Sequence, residues 1–517
     1  MTIFTSPFGA VAASDLTITE RVFQHLGDRD RDAMIDGPSG RRLTAGQLAD
    51  GTRALAGGLS QRGFGPGRVV AIMLPNLPEF FICFHGAAWA GATITTVNPT
   101  YTAAELRHQL NDSGAEILIT IPAFAETAIA GAEGTRVGAI HTLGEAPGTL
   151  PLSELFGPPL ADQVAVDVMN DTLVMPYSSG TTGLPKGVML THRNLVANLD
   201  QVQSMRPVEP GEWTVGFLPF FHIYGMTVIM NLFLSAGAGV ITMPRFDLEL
   251  FLRLLQDHRT KQAFVVPPVA LALAKHPMVD QYDLSALRHV FSGAAPLGAP
   301  LSQALEARIG ARSEQGYGMT EMSPASHATA FDRGRHGSAG QVVPSTECRI
   351  VDPESGRDLG PGEEGELWVR GPQVMKGYLN NPEATAATLL PGGWLRTGDI
   401  AAFDEDGYLF IRDRLKELIK VKGFQVAPAE VEAELLSCPG IADAAVVGVP
   451  DEEAGEVPVA FLVRAPGAAT GAAEIADHLS ARLAHYKLPR AVHFIDAIPK
   501  SASGKILRRM LRQGLTA

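Results

Sequence analysis

From Val69 to Val290, short apolar runs alternate with longer segments of helical period, and this alternation restricts the chain to largely parallel sheets flanked by helices. The runs are Val69 to Leu74, Thr93 to Val97, Glu116 to Ile119, Thr214 to Leu218, Val240 to Met243, Ala263 to Val266 and Arg288 to Phe291. After about Gly337 the texture changes, and Gly and Pro punctuate short strands such as Cys348 to Val351 and Glu366 to Arg370, which reads as a smaller β unit. Tyr408 to Lys416 then carries a charge cluster that a core strand would not tolerate. Beyond it, Glu417 to Ala517 reads as a compact α+β domain. Its pieces are a strand at Leu418 to Lys422, a helix at Pro428 to Leu436, strands at Ala444 to Gly448 and Val457 to Val463, and a helix at Ala472 to Ala484. The boundary falls near Asp413 to Lys416.

A chain of 517 residues exceeds one core and implies two or more domains. The net charge of −13 repels a nucleic-acid backbone, so any phosphate recognition should be local and directed at a small molecule. The longest apolar run, Phe80 to Val97, is interrupted by His85, Gly86 and Gly91 and reads as a core helix plus a strand, with no membrane span. The N-terminal stretch lacks a basic region followed by an apolar core, and the C-terminus lacks a peroxisomal ending, so a cytoplasmic location is expected. Cys83, Cys348 and Cys438 are far apart, without metal-ligand spacing, and read as buried small hydrophobes in a reducing compartment.

Ser178 to Val188 gathers four hydroxyls, three glycines and Lys186 directly after the apolar run Leu173 to Tyr177. Glycines let backbone N–H groups turn toward an anion, hydroxyls add donors, and a lysine at the rim supplies charge. His192 to Ser204 reads as a helix whose N-terminus would face the same anion. Gly187 follows Lys186 where a Walker A loop has Ser or Thr, so a P-loop nucleotidase is disfavoured. The competing reading is a polar surface loop.

Three further clusters each admit two readings. Gln315 to Glu321 sets Tyr317 between Gly316 and Gly318, leaving a ring face open for a planar base; Thr320 could bond phosphate and Glu321 could hold Mg²⁺. An ordinary glycine turn ending at a helix cap fits equally. Asp399, after a glycine in Trp394 to Asp399, could accept ribose hydroxyls or could close an Asx-turn. His222, in Phe220 to Gly225, suits an acyl pocket wall or a packed core. Only ten of the 42 basic residues are lysines, and six of those follow Arg414. Lys416, Lys420 and Lys422 alternate along one expected strand and so share a face, while Lys500 and Lys505 flank a second Gly/Ser loop. Two basic elements on one small domain suggest two anionic tasks, against the alternative of a solvated basic face.

Taken in order, these segments resemble the adenylate-forming superfamily of acyl-CoA synthetases, peptide-synthetase adenylation domains and beetle luciferases, over about Thr17 to Leu511. Within it, FFHIYG (Phe220 to Gly225), SGAAPLG (Ser292 to Gly298), QGYGMTE (Gln315 to Glu321) and DRLKELIKVKGFQVAPAE (Asp413 to Glu430) look most like 4-coumarate:CoA ligases. The resemblance implies an α/β fold: a large ATP- and acyl-binding domain (1–413) of stacked βαβ-type sheets plus a small β unit, a hinge (414–416), and a small mobile α+β domain (417–517) acting as a catalytic lid. It implies a carboxylic acid, ATP with Mg²⁺, and coenzyme A, joined through an acyl-adenylate and then a thioester.

By the same resemblance, ATP would be held by Ser178, Ser179, Gly180, Thr181, Thr182, Gly183, Lys186, Gln315, Gly316, Tyr317, Gly318, Thr320, Asp399 and Arg414, with Glu321 on Mg²⁺. Lys505, Lys420, Gln425 and His222 would be catalytic, Lys416 the hinge pivot, and Lys422 with Gly423 the approach of coenzyme A. The acyl pocket would draw on Tyr224, Gly225, Val228, Lys275, Gly293, Ala294, Ala295, Met319, Ser323 and Pro324. Lys275 reads equally as a surface helix residue.

Phe220 to Ile223 carries no carboxylate to pair with a substrate ammonium, so amino-acid activation is disfavoured. The leading expectation is a cinnamic-type acid. The alternatives are a medium-chain fatty or other aryl acid, an acyl-AMP ligase loading a carrier protein, a luciferase-like oxygenase, and a nucleotide-binding regulator. The partners expected are small molecules, with no nucleic acid, acting on a monomer or homodimer.

Overall fold

The computed structural model describes residues 2–178, 185–331, 333–415, 417–421, 424–451, 454–480, 482–501 and 504–515, with the backbone alone for Gln425. The alternation read from the sequence gives an eight-stranded sheet in the order Gly377–Tyr378, Lys186–Thr191, Thr172–Ser178, Thr93–Thr96, Val69–Ile72, Ile117–Thr120, Ala139–Thr142 and Leu150–Pro151. Thr172–Ser178 and the five strands after it in that order are parallel. The run Phe80 to Val97 forms the buried helix Pro78–Trp89 and the strand Thr93–Thr96. No helix among the described residues is long and apolar enough to cross a membrane.

One expectation about this sheet is overturned. The chain leaving Ser178 does not pass through a loop into a helix: Lys186–Thr191 is a strand, antiparallel to Thr172–Ser178, with Lys186 opposite Ser178. The apolar positions of Val188 and Leu190 are buried in the sheet, so pairing wins over helix entry. The helix His192–Met205 follows, its first turn closed by Thr191 and Asn194 in a capping box. Thr191 and His192 are buried, so this N-terminus does not face the hairpin tip.

A second layer contains the sheet Trp213–Gly216, Gly239–Thr242, Asp32–Asp36 and Arg42–Thr44, and the sheet Gln262–Val265, His289–Ser292, Arg312–Gly318, Ala325–Ala328 and Gln341–Val342. The small β unit is an antiparallel sheet of Phe4–Thr5, Glu347–Val351, Gly365–Arg370 and Trp394–Phe403, with Leu389–Leu390 and Leu409–Arg414 both pairing to Trp394–Phe403. One hydrophobic core runs through all these layers.

The charge cluster after Tyr408 is a strand after all, Leu409–Arg414, at the rim of that unit. The rim tolerates it because Arg412 points outward to Glu364 at 2.8 Å, while buried Asp413 accepts from the Arg414 N–H at 2.7 Å and the Ala429 N–H at 3.0 Å. Burial pushes the Asp413 carboxyl up to about 7.

From Ile419 onward a separate sheet forms, in the order Phe424–Val426, Ile419–Val421, Gly455–Arg464 and Ile441–Asp451, with Ala491–Phe494 parallel to Gly455–Arg464. Its own core includes Val426, Val431, Leu435, Leu462 and Ile475. Lys416 and Lys422 lie outside the described residues; of the three alternating lysines only Lys420 is seen, exposed on Ile419–Val421. Cys83, Cys348 and Cys438 are free and buried.

Behind Arg312–Gly318 sits a buried charge pair. The Arg206 guanidinium lies 2.7 Å from Glu314, donates to the Thr329 carbonyl at 2.7 Å, and is sandwiched at 4.6 Å between the Phe291 and Phe331 rings. Both side chains are 1% exposed. Arg206→Met alone should cost about 3–5 kcal/mol, because it strands a buried carboxylate. Arg206→Met/Glu314→Gln should regain most of that. Urea midpoints measure both, and equal losses in single and double variants would show that pairing is not what stabilises this layer.

Candidate functional site

Three strand ends and one turn converge on a single cleft. The strand Arg312–Gly318 delivers Tyr317, and the short helical turn Thr320–Met322 that follows delivers Glu321. Trp394–Phe403 carries Asp399, and Leu409–Arg414 carries Arg414 directly across the ladder from it. The Tyr317 hydroxyl donates to Asp399 at 2.5 Å, and Arg414 Nε stands 3.5 Å from the other carboxylate oxygen. Burial raises the Asp399 pKa, with Arg414 opposing it, while burial and Asp399 hold the Tyr317 hydroxyl protonated.

Lys505 enters from the C-terminal unit on a tight turn. The Ser501 N–H donates to the Lys505 carbonyl at 2.8 Å, and the Lys505 N–H donates to Ser501 Oγ at 3.1 Å. A Cβ on Gly504 would lie 3.3 Å from Val266, so this turn is seated on the N-terminal body. Desolvation and Arg414 push the ammonium down to about 8, against the favourable charges of Asp399, Glu321 and Glu417. Lys505 in turn acts on His222, which burial and then that ammonium push down to about 4. His222 is therefore a neutral imidazole near neutral pH, its Nδ1 accepting from the Tyr224 N–H at 3.3 Å.

Glu321 has one satisfied and one open oxygen. Oε1 accepts from the Tyr378 hydroxyl at 2.8 Å, whereas buried Oε2 has no hydrogen-bond partner among the described residues. An unpaired buried carboxylate oxygen facing a phosphate-sized cleft fits Mg²⁺, which takes one or two carboxylates and completes its shell with phosphate oxygens and water. Among the described residues no group of three or more His, Cys, Asp or Glu could hold an ion alone, which matches that division of ligands.

Beside it is a pocket walled by Tyr224, Val228, Gly293, Gly316 and Met319. Tyr224 and Gly225 open a wide helical segment, Tyr224–Asn231, with i to i+5 geometry, a form frequent at functional sites. Two glycines make the walls possible: a Cβ on Gly225 would lie 2.3 Å from the Pro219 carbonyl, and one on Gly316 would lie 2.5 Å from the Phe291 ring. Ala294 and Ser323 both hold φ of 68°, a left-handed conformation uncommon for residues with a side chain. The pocket thus has apolar walls around an irregular backbone.

Not every expected residue joins this cleft. Ser179, Gly180, Thr181, Thr182, Gly183, Lys416, Lys422 and Gly423 lie outside the described residues, as does the side chain of Gln425. Ser178 and Lys186 stand at the base of the hairpin whose tip they would complete, with Lys186 Nζ 4.7 Å above the Tyr378 ring. The Gln315 amide is engaged in both directions with the Leu297 backbone, at 2.7 and 2.9 Å, so it pins the Ser292 to Gly298 loop instead of offering itself to a nucleotide. Thr320, Gly318, Ala295 and Pro324 stand at the cleft's turns. Lys420 is exposed on the C-terminal sheet, and Lys275 is the exposed last residue of the helix Pro267–Lys275. Tyr378, which meets both Glu321 and Lys186, was not singled out by the sequence reading; its only signal is a Gly-Tyr pair before the turn at Leu379, and nothing in the spacing ties it to either residue.

Comparison with known proteins places these features. The AMP-binding enzyme model matches residues 24–379, and the AMP-binding enzyme C-terminal domain model matches residues 430–505. 4-coumarate--CoA ligase 5 of Oryza sativa subsp. japonica is 43% identical, over 100% of this chain and 98% of its own length. 4-coumarate--CoA ligase 2 of Nicotiana tabacum is 45% identical, over 96% and 94%. The crystal structure of an anthranilate CoA ligase in complex with anthranoyl-AMP superimposes with a TM-score of 0.91 at 28% identity, covering 98% of this chain and 99% of that one.

The Lys505 charge is present below about pH 8 and lost as pH rises through it. ATP affinity of the free protein, measured calorimetrically without acid or coenzyme A, should therefore fall by about tenfold between pH 7 and 9.5. Lys505→Ala should flatten that profile. An unchanged profile in the variant would assign the titration to another group.

Proposed function

We propose, from the premise that this chain belongs to the AMP-binding enzyme family and is an AMP-forming acid:CoA ligase, that its acid is cinnamic-type, with 4-coumarate the leading candidate. The observation that carries the mechanism is the convergence of Lys505 with Asp399, Arg414 and Glu321, groups drawn from both ends of the chain. The relatives named 4-coumarate--CoA ligase, similar over the full chain, support the substrate class.

In the first step a carboxylate oxygen of the acid attacks the α-phosphorus of ATP, the bond to pyrophosphate breaks, and an acyl-adenylate forms. Two anions must approach each other, so the protein's main task is to neutralise and align them. On this reading Lys505 lies between the acid and the α-phosphate. Asp399 accepts from the ribose hydroxyls, with Arg414 beside it, and the Tyr317 ring lies against adenine. The hairpin from Ser178 to Lys186 grips the departing pyrophosphate end. Mg²⁺, held through Glu321, would supply further charge neutralisation on the phosphates. Neutral His222 and Tyr224 wall the acid without adding a cation that would compete with Lys505.

In the second step the thiol of coenzyme A attacks the acyl carbon, a thioester forms, and AMP leaves. Lys505 has no charge to neutralise there. Lys420, Gln425, Lys422 and Gly423 belong to the other basic element of the C-terminal unit, and turning that unit about Lys416 would exchange one element for the other. Residues 1–413 and 417–517 are thus read as body and lid.

Lys505→Ala should lower adenylation by about 10²–10³-fold, the usual loss on removing one electrostatic stabiliser, while thioester formation from supplied acyl-adenylate stays near normal. Equal losses in both half-reactions, measured by single turnover, would refute the division of labour. For the substrate, CoA-dependent AMP release is compared across cinnamic, benzoic and C4 to C12 fatty acids. A tenfold preference for hexanoate or octanoate over 4-coumarate would reject the acid proposed here and leave the reaction class standing.

A further inference from the structure

The ATP side of the cleft contains a residue that the mechanism above does not use. Tyr378 lies in the two-residue strand Gly377–Tyr378, paired antiparallel to Lys186–Thr191 with Val188 opposite Tyr378. Its own N–H donates to Thr385 Oγ1 at 2.9 Å, and the side chain is only 7% exposed. Backbone pairing and burial therefore fix the ring before any ligand arrives.

Two groups of opposite charge use that ring. The hydroxyl donates to Glu321 Oε1 at 2.8 Å, and the Lys186 ammonium stands 4.7 Å from the ring centroid. The hydroxyl can only donate here, because burial and the Glu321 charge hold it protonated. Donation to Oε1 fixes the plane of the carboxylate and leaves Oε2 as the unpaired oxygen. A cation over an aromatic face is held by the ring quadrupole without a hydrogen bond, so all three Lys186 protons remain available to phosphate.

The geometry points to Tyr378 as a positioning residue that sets the metal-side carboxylate and the phosphate-side lysine in register, so that one side chain aligns both ends of the Mg·ATP polyphosphate. This rests on the reading of Glu321 and Lys186 given under the proposed function. It adds that the two are coupled through a third residue that contacts neither ligand.

The test uses the full-length protein without acid or coenzyme A, so that binding is read apart from turnover. Mg·ATP binding is followed by calorimetry across free Mg²⁺ concentrations for Tyr378→Phe, Tyr378→Leu and Glu321→Gln. Tyr378→Phe keeps the ring and should raise the Mg²⁺ concentration for half-saturation about tenfold, the lower range for losing a hydrogen bond to a charged group. ATP affinity at saturating Mg²⁺ should be unchanged. Tyr378→Leu should show the same Mg²⁺ shift and, in addition, about a two- to fivefold weaker ATP affinity at saturating Mg²⁺. The KM values for acid and coenzyme A should stay within about twofold in Tyr378→Phe, which a merely structural loss would not allow.

If Glu321→Gln shifts the Mg²⁺ dependence and Tyr378→Phe does not, the Tyr378 proposal falls alone. If Glu321→Gln also leaves it unmoved, the assignment of Glu321 to the metal falls, and the Tyr378 proposal with it. Parallel changes in the KM values of all substrates in Tyr378→Phe would likewise overturn the positioning role.

Discussion

The ammonium of Lys505 is held where its own desolvation and the Arg414 guanidinium both oppose its charge, and only Asp399, Glu321 and Glu417 favour it. A cation in that position is stable enough to remain charged near neutral pH, yet it is not neutralised by a dedicated partner. Its strongest available counter-charge is therefore a bound anion. The rest of the site serves that arrangement: Asp399 and Glu321 must be buried carboxylates, and each is fixed by a tyrosine hydroxyl, from Tyr317 and Tyr378 respectively. A tyrosine beside a buried carboxylate orients it without removing its charge, whereas a lysine or arginine in direct contact would cancel it.

Seating Lys505 depends on contacts too slight to merge the two halves. The C-terminal sheet has its own cores. Among the described residues, the junction includes the approach of Gly504 to Val266, that of Gly298 to Ala433, and the Ala429 N–H donated to Asp413. Larger electrostatic ties stay inside the small unit: Arg508 pairs with Glu417 at 2.8 Å and with Glu432 at 2.5 Å. A unit stiffened internally and joined lightly is one that can be moved as a body at small cost.

Much of this was legible from residues alone. The strands Val69–Ile72, Thr93–Thr96 and Gly239–Thr242 lie within a residue or two of the apolar runs that announced them, because burial on both faces writes itself as continuous hydrophobicity. The glycine-rich stretch after Ser178 was misplaced as a lead into a helix, since Gly187 to Thr191 reads equally well as an apolar strand and only its partner, Thr172–Ser178, decides between them. The charged strand Leu409–Arg414 was missed for a related reason: a carboxylate in a strand is forbidden only if nothing answers it, and the N–H of Ala429, sixteen positions later, does. Arg206 with Glu314, and Tyr378 with Glu321, are invisible to any local pattern, because each partnership spans a separation set by the fold alone.

Asp413 shows how the junction can be light and still exact in register. The helix Pro428–Ser437 starts with Pro428 at its first position and has no side-chain cap of its own, so its early N–H groups lack an answer from within the C-terminal unit. Asp413, on the last strand of the N-terminal body, supplies that answer through Ala429. A carboxylate at a helix N-terminus is favoured by both the exposed N–H groups and the helix dipole, yet its burial raises its pKa to about 7, so the stabilisation is only partly present at neutral pH. The sign follows: raised acidity constants mean that deprotonation is opposed by the fold, and the contact weakens further as pH falls below 7. The helix that Asp413 caps leads into the strand Ile441–Asp451, whose Asp443 pairs at 2.6 Å with Lys500, one end of the turn that carries Lys505. One carboxylate at the junction thus bears on the same small body that presents the catalytic cation, which is why the placement of Lys505 is a property of the whole C-terminal unit and not of its loop.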